Sequence, residues 1–192
     1  MTQIGNTSAG SVDRDERLRF FIGLRLPEDA LAGLEEWQRD VFAGVRDVRV
    51  VPAENVHVTL AFLGHRPAGE LDGIAQSLRD AASRATPPSL SVLRYRETRS
   101  VGMLVFDDEA ARAAVLAEDL HAQLEELGVY EREKRPWLAH LTVLRFRRPP
   151  RLRPPLPDLG EVSPSEAAVY HSLLRRDGAR YEALETVRLG GG

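Results

Sequence analysis

The chain has no cysteine and only two methionines among its 192 residues. It therefore holds no disulfide, thiolate metal site or cysteine nucleophile, a composition suited to a reducing compartment, with the cytoplasm as the expected location. No apolar run approaches the ~20 residues needed to cross a bilayer, so no membrane association is expected. Residues 1–17 are polar and of mixed charge, which makes them neither a signal peptide nor an anchor; they read as a disordered tail. No glycine-rich loop opens a helix as a nucleotide cradle would, and no His, Asp and Glu cluster has metal-ligand spacing, which removes the kinase and metallohydrolase classes. No cofactor and no metal are expected. The formal net charge of −3 argues against a protein that coats nucleic acid through bulk electrostatics.

What the chain does contain is one four-residue phrase in two copies, His57-Val58-Thr59-Leu60 and His140-Leu141-Thr142-Val143. In a strand alternate side chains share a face, so each copy sets an imidazole beside a hydroxyl while Val58 and Leu141 turn the other way into a core. Five histidines and seven threonines in 192 residues make roughly 0.2 accidental His-x-Thr matches, so a single copy would be weak evidence. Two copies, both inside apolar runs of β character (55–63 and 137–146), form two half-sites. Facing each other they offer two proton-transfer groups and two hydroxyls for an anion, the equipment for metal-free phosphodiester chemistry.

The rest of the pattern is α+β. A strand over 19–26 is followed by a helix opened by Pro27-Glu28-Asp29, with Leu31, Leu34, Trp37 and Val41 at helical spacing. A short strand (48–51), a turn (52–55) and the first motif strand, stopped by Gly64, precede a helix over 68–82. Strands over 90–96 and 102–106 form a hairpin. The next helix is capped by Asp107 or Asp108, lined by Leu116, Leu120, Leu124 and Leu127, and ended by Gly128. The second motif strand then runs 137–146. Five prolines between Phe146 and Gly160 exclude a central strand there, and two closing strands (167–174 and 179–189) flank an Asp177-Gly178 turn. The motifs stand 83 residues apart, about half the ordered chain, and the order strand, helix, strand, motif strand is loosely echoed in the second half. This predicts a bilobal fold of two pseudo-symmetric lobes, each an antiparallel sheet with packed helices, and a cleft between them where the two motifs converge. Residues 18–189 form the single domain and 190–192 a C-terminal tail.

From Tyr130 to Arg153 eight basic residues (Arg132, Lys134, Arg135, Arg145, Arg147, Arg148, Arg151, Arg153) face two acidic ones (Glu131, Glu133). Such a run is commonly a solvated surface, but its position around the second motif favours attraction of a phosphate-bearing substrate. The remaining histidines, His65 in a loop, His121 on the polar side of a helix and His171 in a late strand, are assigned structural or solvent roles. Trp137, Phe20 and Phe21 are read as core packing first, with base stacking as the alternative.

Together the segments RFFIGLRLP, VPAENVHVTLAFLG, RPWLAHLTVLRF and GARYEALETVRL, spanning about Arg19 to Leu189, resemble the two-histidine (2H) phosphoesterases. The resemblance is to the LigT-like RNA 2',3'-cyclic phosphodiesterases, also called 2'-5' RNA ligases. It implies a bilobal α+β fold, catalytic positions at His57, Thr59, His140 and Thr142, and a phosphate contact at Arg145; Trp137, as a ring able to stack on a base, is a second expected substrate contact. Ala139 stands where relatives usually have proline, and Trp137 where a phenylalanine is common; neither change removes a reacting group. The residues alone do not say which histidine is the acid, because the half-sites are nearly equivalent. The resemblance implies that His57 protonates a departing 3'-oxygen while His140 activates water, leaving a 2'-phosphate, with reversible 2'-5' joining by the same groups. The expected partners are RNA ends or small cyclic nucleotides, with no obligate protein partner and a monomeric chain. Two alternatives stay open: the same four residues acting on 2'-5' oligoadenylate or an ADP-ribose cyclic phosphate, and a module that binds RNA ends without turnover.

Overall fold

The computed structural model describes residues 14–175 and 178–190. Eight strands form a curled, wholly antiparallel sheet in the order β4-β5-β6-β3-β1-β7-β8, with β2 also paired to β6. They are β1 (Arg17–Arg25), β2 (Val48–Val50), β3 (Val58–Pro67), β4 (Leu90–Glu97), β5 (Val101–Asp108), β6 (His140–Phe146), β7 (Glu166–Arg175) and β8 (Gly178–Arg188). Three helices, α1 (Glu28–Phe42), α2 (Leu71–Arg84) and α3 (Arg112–Glu126), cover the core face. That face carries Ile22, Leu24, Val58, Leu60, Leu141 and Val143, all at most 2% exposed. No helix of the described residues is long and apolar enough to cross a membrane.

The two motif strands lie side by side at the centre. They are joined at a single paired position, Val58 opposite Leu141. On one side stand β4, β5 and β6, and on the other β3, β1, β7 and β8. The halves are not contiguous in the chain as the sequence pattern suggests. Strand β2 crosses over to pair with β6 (Val48 with Phe146, Val50 with Leu144), and the final β7–β8 hairpin extends β1. Both exchanges cover strand edges that would otherwise leave backbone groups unpaired.

Several boundaries differ from the sequence reading. The tail expected over residues 1–17 falls outside the described residues up to 13. Its last part is fastened: the Arg14 and Glu16 carbonyls accept the N–H groups of Gly69 (3.1 Å) and Ala68 (2.7 Å), and β1 starts at Arg17. Gly64 does not stop β3. It takes φ +70 beside a bulge in which Leu63 is the extra residue, and the strand runs on to Pro67, which puts His65 in a strand rather than a loop. Strand β6 starts only at His140, because residues 137–139 approach as an irregular segment behind Pro136. Asp177 of the expected closing turn lies outside the described residues.

Helix α3 is capped from a distance. Both Asp108 carboxylate oxygens accept first-turn amides, from Ala113 (3.1 Å) and Ala114 (2.8 Å). Gly128 ends the helix with φ +75 as its position suggests, but Leu127 lies past the last turn and is 44% exposed. His121 reverses its predicted place and is 4% exposed. Its row on the helix is Ala113, Ala117, His121, and the two alanines leave room for the ring to turn inward. The proline-rich segment forms no strand but is held at intervals. The Trp37 indole donates to the Pro155 carbonyl (2.8 Å), and the Glu97 carboxylate accepts the Arg151 and Leu152 amides (both 2.8 Å). Asp108→Ala is expected to cost about 1 kcal/mol, the usual worth of a helix cap, read as a lower urea midpoint, with Asp107→Ala as an unaffected control.

Candidate active site

Antiparallel pairing of Val58 with Leu141 fixes what lies around it. By continuation of the register His57 is set across from Thr142 and Thr59 across from His140, all four on the face opposite the buried pair. They line one cleft of about 310 Å3 together with Arg145, at the point where the two halves of the sheet meet.

Beyond the paired position the strands part, and the carbonyls freed on β3 are taken by side chains. The Trp137 indole donates to the Thr59 carbonyl (3.0 Å) and the His121 Nε2–H to that of Leu60 (2.8 Å). On the other strand the Val143 carbonyl accepts the Val51 backbone N–H (3.0 Å), and the buried Gln38 amide adds a second bond to it (3.2 Å) and one to the Val51 carbonyl (3.1 Å). Both strands bulge three residues after the histidine. Leu60 is the extra residue in β3 against β1, and Val143 in β6 against β5. Strict alternation would turn positions five residues after each histidine to the core face; the bulge turns them back. Phe62 and Arg145 therefore both line the cleft.

The two imidazoles are held alike. His57 Nδ1 lies 2.9 Å from the Asn55 carbonyl and His140 Nδ1 lies 2.8 Å from that of Leu138, in each case two residues back. A carbonyl can only accept, so both Nδ1 atoms carry a proton, and among the described residues neither Nε2 has a protein partner. Asn55 is itself anchored, its side-chain amide donating to the Ala179 carbonyl of β8 (2.9 Å).

Their surroundings differ. The His57 ring stacks on Phe21 (4.5 Å between centroids) with Tyr181 edge-on at 5.3 Å, and Gly23 beneath leaves it room: a Cβ there would lie 3.1 Å from His57 Cδ2. Burial among these rings pushes the His57 imidazolium down to about 4, and the nearby charges of His140 and Arg145 push the same way, while the Asn55 carbonyl opposes them.

Among the described residues the cleft is lined by four arginines, Arg19, Arg49, Arg145 and Arg175, and by no carboxylate. Arg49 and Arg145 sit directly opposite each other on β2 and β6. Like charges at that position are unfavourable unless an anion lies between them. Among the described residues no group of three or more His, Asp or Glu is placed to hold a metal.

Residues 24–96 match the family described as LigT like Phosphoesterase. A protein of Thermus thermophilus named RNA 2',3'-cyclic phosphodiesterase is 33% identical over 185 residues, covering 91% of each chain. The fold agrees. A crystal structure from the same organism superposes with TM-score 0.75 at 31% identity, over 91% of this chain and 99% of that one. The ligand-free crystal structure of E. coli LigT does so with TM-score 0.75 at 25% identity, over 91% and 98%. This chain belongs to the LigT-like phosphoesterase family.

Of the residues singled out in the sequence, His57, Thr59, His140, Thr142 and Arg145 meet in the cleft. Trp137 does not; it lines the adjoining groove and spends its N–H on the Thr59 backbone. Phe20 is core, and Phe21 is packed between the His57 and Tyr170 rings. His171 packs edge-on against Phe20. Arg147, Arg148, Arg151 and Arg153 line neither cavity. Arg19, Arg49, Arg175, Gly23 and Tyr181 escaped the sequence reading. Arg19 and Gly23 sat in the RFFIGLRLP segment and Tyr181 in GARYEALETVRL, stretches already marked, whereas Arg49 and Arg175 lie outside all four segments.

The low His57 value links to stability. The folded state holds His57 neutral down to about pH 4, whereas in the unfolded chain it takes up a proton near 6.5. Between these values the unfolded state binds more protons, so about 3 kcal/mol of stability, fully present above pH 6.5, is lost as pH falls to 4. Urea melts at pH 7 and pH 4 check this, with His57→Gln expected to lose correspondingly less. His121→Phe leaves the Leu60 carbonyl without its donor and is expected to cost about 1–3 kcal/mol in the same melts at pH 7.

Proposed function

We propose that the chain hydrolyses 2',3'-cyclic phosphate ends of RNA to 2'-phosphate ends by proton transfer between two histidines. The observation that carries this reading is the pair of matched imidazoles, each with Nδ1–H tied back and Nε2 free, on the wall of a cleft lined, among the described residues, by four arginines and no acid. The curated relative named RNA 2',3'-cyclic phosphodiesterase supports the substrate class.

In this reading water attacks phosphorus and gives a proton to His140 Nε2, the P–O3' bond breaks, and His57 protonates the departing 3'-oxygen. The Thr59 and Thr142 hydroxyls donate to the non-bridging oxygens, and Arg145 with Arg49 balances their charge. His57 is too weak a base to hold a proton in the empty cleft at neutral pH. A bound phosphate anion reverses the local charge and raises its affinity, so the acid is charged only when substrate is present. His140 is the less enclosed of the two and lies against the larger opening, which suits the histidine that recruits water. Phe62, 50% exposed with the Arg19 guanidinium 4.9 Å from its ring centre, offers a face on which the terminal base stacks. The protein acts without a protein partner and in the cytoplasm.

The test is turnover in EDTA of adenosine 2',3'-cyclic monophosphate, a cyclic-phosphate-ended RNA and 2'-5' oligoadenylate. Chelator-resistant hydrolysis of the RNA end is expected, with His57→Ala and His140→Ala each losing at least ~10²-fold in kcat/KM, as removal of a general acid or base requires. Full activity in either variant removes the two-histidine mechanism, and turnover confined to 2'-5' oligoadenylate replaces the substrate.

A further inference from the structure

Beside the cleft, and open to it, lies a second groove of about 770 Å3. The two share Thr59, Phe62 and His140, while His57 touches only the first, so the groove leads away from the site on the His140 side. Its outer wall is the irregular 130–138 segment, and Arg96 of β4 and Glu118 of α3 stand across from it.

The groove is cationic for a structural reason. It carries Arg96, Arg132, Lys134 and Arg135 against Glu118 and Glu133. Arg132 is occupied by Glu118 at 2.6 Å, but the Arg135–Glu133 contact at 3.3 Å joins side chains 85% and 67% exposed and is worth little. Among the described residues Arg96 and Lys134 have no carboxylate partner. The half-buried rings of Tyr130 and Trp137 lie between these charges. Cations interleaved with rings along an open channel are what a single-stranded polynucleotide requires, phosphates on the former and bases on the latter. The basic run noticed in the sequence therefore divides: Arg145 enters the cleft, Arg132 to Arg135 line the groove, and the four arginines from 147 to 153 line neither.

We propose that this groove is a polynucleotide subsite, in which the RNA strand whose end reacts between the histidines continues past His140 with its backbone phosphates on Arg96, Lys134 and Arg135. This rests on the reading that the cleft processes RNA phosphate ends. A mononucleotide fills the cleft and leaves the groove empty, so the groove selects chains over monomers.

The test compares kcat/KM on adenosine 2',3'-cyclic monophosphate and on a hexanucleotide with the same cyclic end over a range of salt concentrations. The proteins are wild type, Arg96→Ala/Lys134→Ala/Arg135→Ala, and Arg147→Ala/Arg148→Ala. Wild type is expected to favour the hexamer. The groove variant should lose ~10-fold on the hexamer, chiefly through KM, stay within about twofold on the mononucleotide, and show a salt slope shallower by ~2, the sum for three single-strand phosphate contacts. The Arg147/Arg148 variant should match wild type. Equal losses on both substrates, an unaffected hexamer, or a loss seen only when a second RNA with a 5'-hydroxyl is joined would each overturn the subsite. Wild type inert toward both substrates would instead remove the underlying reading.

Discussion

Everything distinctive about this molecule follows from two strands that pair at one position and then part. Had β3 and β6 paired along their length, His57, Thr59, His140 and Thr142 would lie on an unbroken sheet surface with no room for a ligand between them. Parting opens the cleft, at the cost of carbonyls with no ladder partner. Such groups cannot stay empty inside a protein: on β3 the indole of Trp137 and the imidazole of His121 supply the missing donors, and on β6 the Val51 backbone N–H does so with the Gln38 amide beside it. The bulges at Leu60 and Val143 then follow, because a strand leaving its neighbour must absorb a residue against the partner it keeps. What looks like a decorated pair of motifs is one mechanical solution applied twice.

Electrostatics completes what the backbone begins. In a chain with net charge −3, four arginines share a cleft with two histidines and, among the described residues, no carboxylate, and two of those arginines face each other across a strand pair. Each is individually tolerable at a solvated edge, where effective dielectric is high. Burial among aromatic rings makes His57 hold its proton weakly in the empty cleft, and the charges of His140 and Arg145 push the same way. In the proposed reaction an entering anion is stabilised by all of these groups at once, and binding and protonation become one event.

The sequence showed the motif pair, the α+β class, the sides to which Val58 and Leu141 turn, and the helix stripes of Leu34, Leu78 and Leu120, because each depends on local periodicity. It did not show the exchange of β2 and of the β7–β8 hairpin between the halves of the sheet, since strand partners many residues apart leave no local trace. A bulge is equally silent: it adds a residue on one strand without altering composition, and only the finished register reveals why an arginine five positions after a histidine shares its face. His121 misled because a histidine on a helix reads as polar, while the space left by Ala113 and Ala117 is visible only once α3 is docked. Arg49 gave no signal at all. Its importance comes from standing opposite Arg145, a fact about pairing and not about its neighbours in the chain.

The two half-sites are equivalent in backbone and unequal in environment, and the inequality is where chemistry acquires a direction. Both histidines present the same nitrogen in the same tautomer, fixed by a carbonyl two residues back. A symmetric pair of that kind would have no preference for taking or giving a proton. His57 is enclosed by Phe21, Tyr181 and the backbone of Gly23, whereas His140 borders an open groove. Enclosure makes the charge on His57 depend almost wholly on what occupies the cleft, and openness leaves His140 in exchange with water. In the proposed reaction two like half-sites thus become a donor and an acceptor without any change in the reacting groups themselves, only in the packing that each half of the sheet places around them.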